Sequence, residues 1–270
     1  MRLHTAANRL KHVLSSLTTP EKWLYRRGFL STADMTLPDM IGIGMARSGT
    51  TWLYRNLMEH PQVQRRPRPK ELHYFNNHFG RPLRWYAAQF DHGDGLRFEI
   101  TPGYAHLAVR RIDFIRSILP DVKILVLFRE PTAQAWSETV LHRVGKQATS
   151  LDDTDQDRFL ATLRVVAEAA DCVEILDRWE SVFPREQIFV GFFDDLVTRP
   201  RALLSDVFEF LGLTRQVDWC SFPYAEKANA AVPIAIPSHY REVLREINQP
   251  RIEAMRRRFG PRVDGWFEAS

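Results

Sequence analysis

Apolar and polar positions fall into two periods along this chain. Short apolar runs stand at Asp39 to Gly44 (entered from Pro38), Arg97 to Thr101, Lys123 to Phe128 and Gln187 to Gly191. Their length and their flanking turn residues predict strands. The unbroken run from Lys123 to Phe128 suits a strand covered on both faces, as in a parallel sheet. Helical spacing fills the intervals. It predicts helices over Thr50 to Glu59, on Trp52, Leu53 and Leu57, and over Ala105 to Leu119, stopping before Pro120. Further helices are expected over Thr132 to Arg143, with Pro131 in the first turn, and over Gln156 to Val182, the longest periodic stretch. Two more follow, Arg199 to Leu211 ending at Gly212, and a basic helix from about Ser238, broken near Pro250. Arg65 to Lys70, Val144 to Asp157 and Cys220 to Pro237 read as loops.

Strands that alternate with helices predict an α/β fold, a mainly parallel central sheet flanked by helices. No shift of composition divides the chain, so one domain is expected over 38–270, preceded by a helical arm over 1–37. At 270 residues, 44% hydrophobic and 26% charged, the chain has ample apolar surface for one core and is neither a disordered nor a fibrous sequence. The formal net charge of +4 is too small to point to nucleic acid and suits an anionic small ligand if the arginines converge. Cys172 and Cys220 lie far apart with no CxxC and no nearby His cluster, which argues against a disulfide framework or a cysteine-based metal site and favours a reducing, cytoplasmic compartment. No apolar run reaches the ~18 residues a membrane-crossing helix needs. Arg2, Arg9, Lys11 and His12 interrupt the first 17 residues, unlike a secretory leader. Contact with a membrane is therefore expected to be peripheral at most.

In open parallel sheets ligands bind beyond the carboxyl ends of the strands. The first such junction, Gly44 to Thr51, has the GxxxxG frame of a phosphate loop, but Thr50 occupies the lysine position. Gly44 and Gly49 permit a tight turn. The amides of Ser48, Gly49, Thr50 and Thr51 and the hydroxyls of Ser48, Thr50 and Thr51 would form an anion cradle at a helix start, and Arg47 adds a permanently charged planar fork. A nucleoside triphosphatase also needs an acidic strand end for magnesium, whereas the central strand here ends in Arg129-Glu130. This pattern suits a nucleotide with a short 5′ anion and no metal. At the second junction, Arg129 at the strand tip and Ser137 on the following helix form a donor pair for a second phosphate, remote from the first.

Together these residues resemble the sulfotransferase family that uses 3′-phosphoadenosine 5′-phosphosulfate (PAPS). The 5′-phosphosulfate loop of that family is similar to Arg47-Ser-Gly-Thr-Thr-Trp52, and its 3′-phosphate motif to Arg129-Glu-Pro131 with Ser137. Lys70 to Phe75 and Glu99 to Tyr104 resemble segments of heparan-sulfate-type members. Phe192 to Leu196 and Lys227 to Asn229 resemble later motifs, so the likeness covers about residues 38–260. Two departures stand out: Arg47 where many members carry lysine, and Asp194 where the family carries glutamate.

The resemblance implies a P-loop nucleoside-triphosphatase-like fold and sulfuryl transfer to a hydroxyl, or less readily an amine, of a small-molecule or carbohydrate acceptor. It implies a nucleotide site of Arg47, Ser48, Gly49, Thr50, Thr51, Trp52, Arg129, Ser137 and Lys227. It further implies Glu71 as acceptor base with His73 as the alternative, Lys70 near the sulfonate, and an electrostatic role for Arg47. Trp85, Tyr86, Tyr104 and His106 are expected at the acceptor cleft, Arg65, Arg66 and Arg68 as guides for an acidic acceptor, and Val144 to Asp157 as a lid. Two other readings stay open on the residues alone: a metal-assisted phosphoryl-transfer enzyme, which the missing lysine and acidic strand end oppose, and a nucleotide-binding module without catalysis.

Overall fold

The computed structural model describes residues 20–64, 69–90, 92–145, 150–151, 154–226, 228 and 234–267. Among them four strands form one sheet: β1 (Met40–Gly44), β2 (Phe98–Ile100), β3 (Lys123–Phe128) and β4 (Ile188–Phe192). Every pairing is parallel and the spatial order is β2-β1-β3-β4. The chain crosses from β1 to one neighbour and then to the other, so the reversal of strand order falls between β1 and β3. A crevice opens at such a point beyond the strands' carboxyl ends.

Period-two alternation divides the core between the two faces of the sheet. Ile41, Ile43, Ile124, Val126, Phe128, Ile188, Val190 and Phe192 pack on one face, with Ile112, Ile115, Ile175, Leu176 and Trp179. Met40, Phe98, Ile100, Leu125 and Leu127 pack on the other, against Trp52, Leu53, Leu57, Leu203, Val207 and Phe208. Gly42 lies at a close approach on the second face, where a β-carbon would come within 2.8 Å of the Ile100 side chain.

The helices are α1 (Pro20–Arg26), α2 (Thr50–Glu59), α3 (Leu83–Ala87), α4 (Val109–Ile118), α5 (Pro131–Arg143), α6 (Gln156–Ala169), α7 (Cys172–Glu180), α8 (Phe193–Thr198), α9 (Pro200–Leu211) and α10 (Ser238–Phe259). Three expectations are corrected. The stretch from Gln156 to Val182 is two helices, because the Asp171 carboxylate accepts from the amides of Val173 and Glu174 at 3.1 and 2.9 Å and starts α7 afresh. The stretch from Ala105 divides into a 3-10 turn, Pro102–His106, and α4. The C-terminal helix runs unbroken through Pro250, its inner face held by buried Leu244, Asn248, Ile252 and Met255. A third packing layer joins α5, α6 and α10 through Trp136, Phe159, Leu163, Tyr240 and Leu244.

Candidate active site

The loop between β1 and α2 is shaped by backbone conformations that few side chains allow. Gly49 sits at φ 90°, and a β-carbon there would meet Leu196 Cδ1 at 2.4 Å. Arg47 holds φ 60°, an uncommon state for a residue with a β-carbon. Leu53 donates its amide to the Gly49 carbonyl at 3.0 Å, so α2 begins at the loop and directs its first turn towards the crevice. Ser48 is fully buried, its hydroxyl turned back to the Ala46 carbonyl at 3.5 Å. Trp52 is also buried, at 2% exposure, and its indole N–H donates to the Tyr224 carbonyl at 2.9 Å. Thr50 and Thr51 carry the loop's remaining hydroxyls.

Those hydroxyls meet a cation from elsewhere in the chain. Lys70 Nζ donates to Thr50 Oγ1 at 3.1 Å and to Thr51 Oγ1 at 3.3 Å, and lies 3.0 Å from Glu71 Oε1. Burial pulls the Lys70 pKa down, against the opposing pull of Glu71. The lysine missing from the loop is thus supplied by the segment twenty residues downstream, a relation that spacing cannot reveal. Glu71 Oε2 in turn lies 3.2 Å from His73 Nε2, so one carboxylate is held between an ammonium and an imidazole. His73 adopts φ 53°, and its Nδ1 is 3.3 Å from Asn76 Nδ2. The Glu71 side chain keeps 36% of its surface open, enough for contact with an acceptor.

The residues of the second junction touch those of the first. Arg47 Nε donates to Ser137 Oγ at 2.9 Å, and Arg129 Nη1 donates to the Arg47 carbonyl at 3.1 Å. The Arg129 guanidinium also lies over the Phe193 ring, 4.5 Å from its centre. Burial lowers the pKa of both arginines, and for Arg129 the positive charge of Arg47 lowers it further. An arginine remains charged through such shifts, so two half-buried like charges stand near enough to repel. An anion bound between them would relieve that repulsion.

Glu130, the acid at the tip of β3, caps α5. Its carboxylate accepts from the amides of Thr132 at 2.7 Å and Ala133 at 2.6 Å. Among the described residues no three His, Cys, Asp or Glu side chains converge as a metal site. Gln134 was not singled out by sequence, yet its Nε2 donates to the Ala46 carbonyl at 3.1 Å and ties α5 to the loop. Glu138 lies beside Arg47 from the next turn and opposes its loss of charge.

Two of the expected acceptor-cleft residues are corrected. Tyr86 and Tyr104 are fully buried, and both hydroxyls donate to Glu99 Oε1, at 2.7 and 3.1 Å. His106 is exposed and Trp85 half-buried against Tyr74. Lys227, Arg65, Arg66, Arg68 and residues 1–19 of the expected N-terminal arm lie outside the described residues, as does part of the expected lid, 146–149 and 152–153.

A family model described as "Sulfotransferase domain" matches residues 37–235. Human heparan sulfate glucosamine 3-O-sulfotransferase 5 is 27% identical over 193 residues, which cover 67% of this chain and 55% of that protein. The chain therefore spans about half the length of that curated relative. Among solved structures, a sulfotransferase from Alicyclobacillus acidocaldarius aligns with a TM-score of 0.65 at 22% identity, covering 85% of this chain and 98% of the other. Mouse sulfotransferase SULT7A1, complexed with PAP, aligns at 0.58 with 12% identity, covering 93% and 94%. At those identities the structural likeness concerns the fold.

Proposed function

The chain belongs to the sulfotransferase domain family, and on that premise we propose that it moves the sulfuryl group of PAPS to a hydroxyl of a carbohydrate or glycolipid acceptor. The observation that carries this reading is the meeting of Arg47, Ser137 and Arg129 beside the Lys70–Thr50–Thr51 cluster. Two cationic, hydroxyl-bearing groups at neighbouring strand ends match an adenosine that bears an anion at each of two positions. The donor set is nitrogen cations and hydroxyls, with no carboxylate cluster among the described residues, and so fits phosphate and sulfonate directly.

When bound, the nucleotide supplies an activated sulfuryl group on its 5′-phosphate. Arg47, the hydroxyls of Thr50 and Thr51 and the first-turn amides of α2 would hold that phosphate and balance the charge it gains as the bond to sulfur breaks. Arginine does not readily give up a proton, so the part of Arg47 is electrostatic. Lys70, already on the two threonines, would hold the sulfonate oxygens. Arg129 and Ser137 would anchor the 3′-phosphate, and this remote binding energy orients the donor for in-line attack. Glu71 takes the acceptor proton, and His73 at 3.2 Å steadies the carboxylate and shares that proton. The glycan preference rests on the heparan sulfate relatives and on the open carboxylate of Glu71.

The test is transfer of label from PAPS to a panel of acceptors: heparan-type oligosaccharides, glycolipids and simple phenols. Wild-type protein should label a glycan hydroxyl, and Arg47→Ala and Arg129→Ala should each lose at least ~100-fold in kcat/KM. Full activity in both variants would remove the site assignment.

A further inference from the structure

The segment bearing Lys70, Glu71 and His73 has no regular secondary structure, yet it must hold three reacting groups in register. Its backbone is organised around one fully buried carboxylate. Glu99, on β2, has no exposed surface and, among the described residues, no basic side chain as hydrogen-bond partner. Its Oε1 accepts from Tyr86 OH at 2.7 Å and Tyr104 OH at 3.1 Å, and its Oε2 accepts from Thr101 Oγ1 at 2.7 Å and the Leu72 amide at 3.3 Å. Two of these donors reach onward. Thr101 Oγ1 accepts from the amides of Leu72 at 3.1 Å and His73 at 3.4 Å, and Tyr104 OH accepts from the amide of Phe75 at 3.3 Å. The Ile100 amide completes the seam by donating to the Lys70 carbonyl at 3.1 Å.

The direction of these bonds carries the argument. A hydroxyl has one proton, and an ionised carboxylate only accepts. Glu99 therefore draws the protons of Thr101 and Tyr104 towards itself and leaves their lone pairs for the amides of residues 72, 73 and 75. An amide in its place would offer donors of its own and allow the hydroxyls to turn. Burying a carboxylate is costly, and packing alone would be met as well by an uncharged residue. We propose that Glu99 is a positioning residue that acts through Thr101 and Tyr104 to fix the Lys70–His73 segment in its reacting geometry. This rests on the roles given above to Lys70, Glu71 and His73. Burial is the largest influence and leaves the Glu99 carboxyl pKa raised, with the four donors opposing it.

The test compares Glu99→Gln, Thr101→Val, Tyr104→Phe and Thr101→Ser in the full chain. Three readouts are followed: affinity for adenosine 3′,5′-bisphosphate by calorimetry, amide exchange of the 70–76 peptide by mass spectrometry, and kcat with labelled PAPS and the best wild-type acceptor. Thr101→Val and Tyr104→Phe should raise exchange in that peptide alone and lower kcat by about 100-fold, the loss expected of a misplaced reacting group. Their affinity for the bisphosphate, which lacks the sulfonate that Lys70 would hold, should stay within about 2-fold of wild type. Glu99→Gln should do the same, and Thr101→Ser should recover most of what Thr101→Val loses. Unchanged local exchange and kcat in Thr101→Val and Tyr104→Phe would overturn the proposal. So would a general rise in exchange with a parallel loss of nucleotide affinity, the mark of a purely structural role. If the wild-type chain labels no acceptor, the functional reading fails, and the exchange and affinity arms still decide whether the clamp exists.

Discussion

Arg47 does two jobs from one strained backbone position. At φ 60° its carbonyl meets the Arg129 guanidinium, while its own Nε reaches Ser137. Arg47→Lys would keep the charge and lose the Nε bond. It should weaken binding of adenosine 3′,5′-bisphosphate by no more than about 10-fold, against about 10- to 100-fold or more for Arg47→Ala, since a hydrogen bond to a charged group contributes ~1.5–3 kcal/mol. Equal losses in the two variants, measured by calorimetry, would show that the fork geometry rather than the charge dominates. Gly49→Ala adds a β-carbon at φ 90° and 2.4 Å from Leu196 Cδ1, so it should lower both the melting temperature and nucleotide affinity. These loop residues were legible in the sequence because glycine, serine and arginine recur there at fixed local spacing. Glu99 was not. It appeared only as part of a resembling motif, and its role depends on Leu72, Thr101, Tyr86 and Tyr104 meeting in space.

At the scale of elements, helix starts and stops were legible wherever a side chain or proline fixes them locally. Pro131 opens α5 and Gly212 closes α9 as the sequence suggests. The division between α6 and α7 was missed because the apolar period continues through it while the Asp171 cap interrupts the backbone. Helix α1 poses a different problem. It buries Lys22 completely, with Nζ donating to the Arg81 carbonyl at 2.9 Å and lying 4.5 Å from the centre of the Phe79 ring. Burial brings the Lys22 pKa down to about 8, with Glu21 opposing and Arg111 assisting. The folded chain thus binds fewer protons than the unfolded chain between about pH 8 and the unfolded pKa near 10.5, and stability from this group rises with pH across that window. Lys22→Met keeps the volume, and Tyr74 OH still reaches the Arg81 carbonyl at 3.2 Å. That variant should melt about 2–4 °C higher than wild type at pH 7. The gap should narrow as pH is raised towards 10. A gap that is constant with pH in thermal melts would show that Lys22 keeps its proton throughout.

Over the whole molecule, the parallel sheet was legible because each of β1, β3 and β4 is an apolar run between helical patterns, and the order β2-β1-β3-β4 puts the junctions after β1 and β3 at the strand reversal. What the pattern did not reveal is the irregular stretch from residue 69 to 82. Its order comes from distant partners: Glu99, Thr101 and Tyr104 on one side and Arg111, whose Nη1 donates to the Phe75 carbonyl at 2.7 Å, on the other. The proposed nucleotide site therefore joins the loops after β1 and β3 to a segment ordered from the end of β2 and from α4. Ligand binding to such a site should stabilise the chain as a unit. Adenosine 3′,5′-bisphosphate at about 100 times its Kd should add ~2.7 kcal/mol, or roughly 5 °C in melting temperature at this chain length. Arg129→Ala should abolish most of that shift. Because the contacts are cations, hydroxyls and amides, chelator should leave the shift intact, and added salt should shrink it as the exposed part of the charge is screened. A shift that requires magnesium, or that ATP with magnesium exceeds, would place a metal-assisted phosphoryl-transfer chemistry at this crevice. The cap formed by Glu130 on the amides of Thr132 and Ala133 argues against that outcome, since the acid at the tip of β3 is already committed to α5.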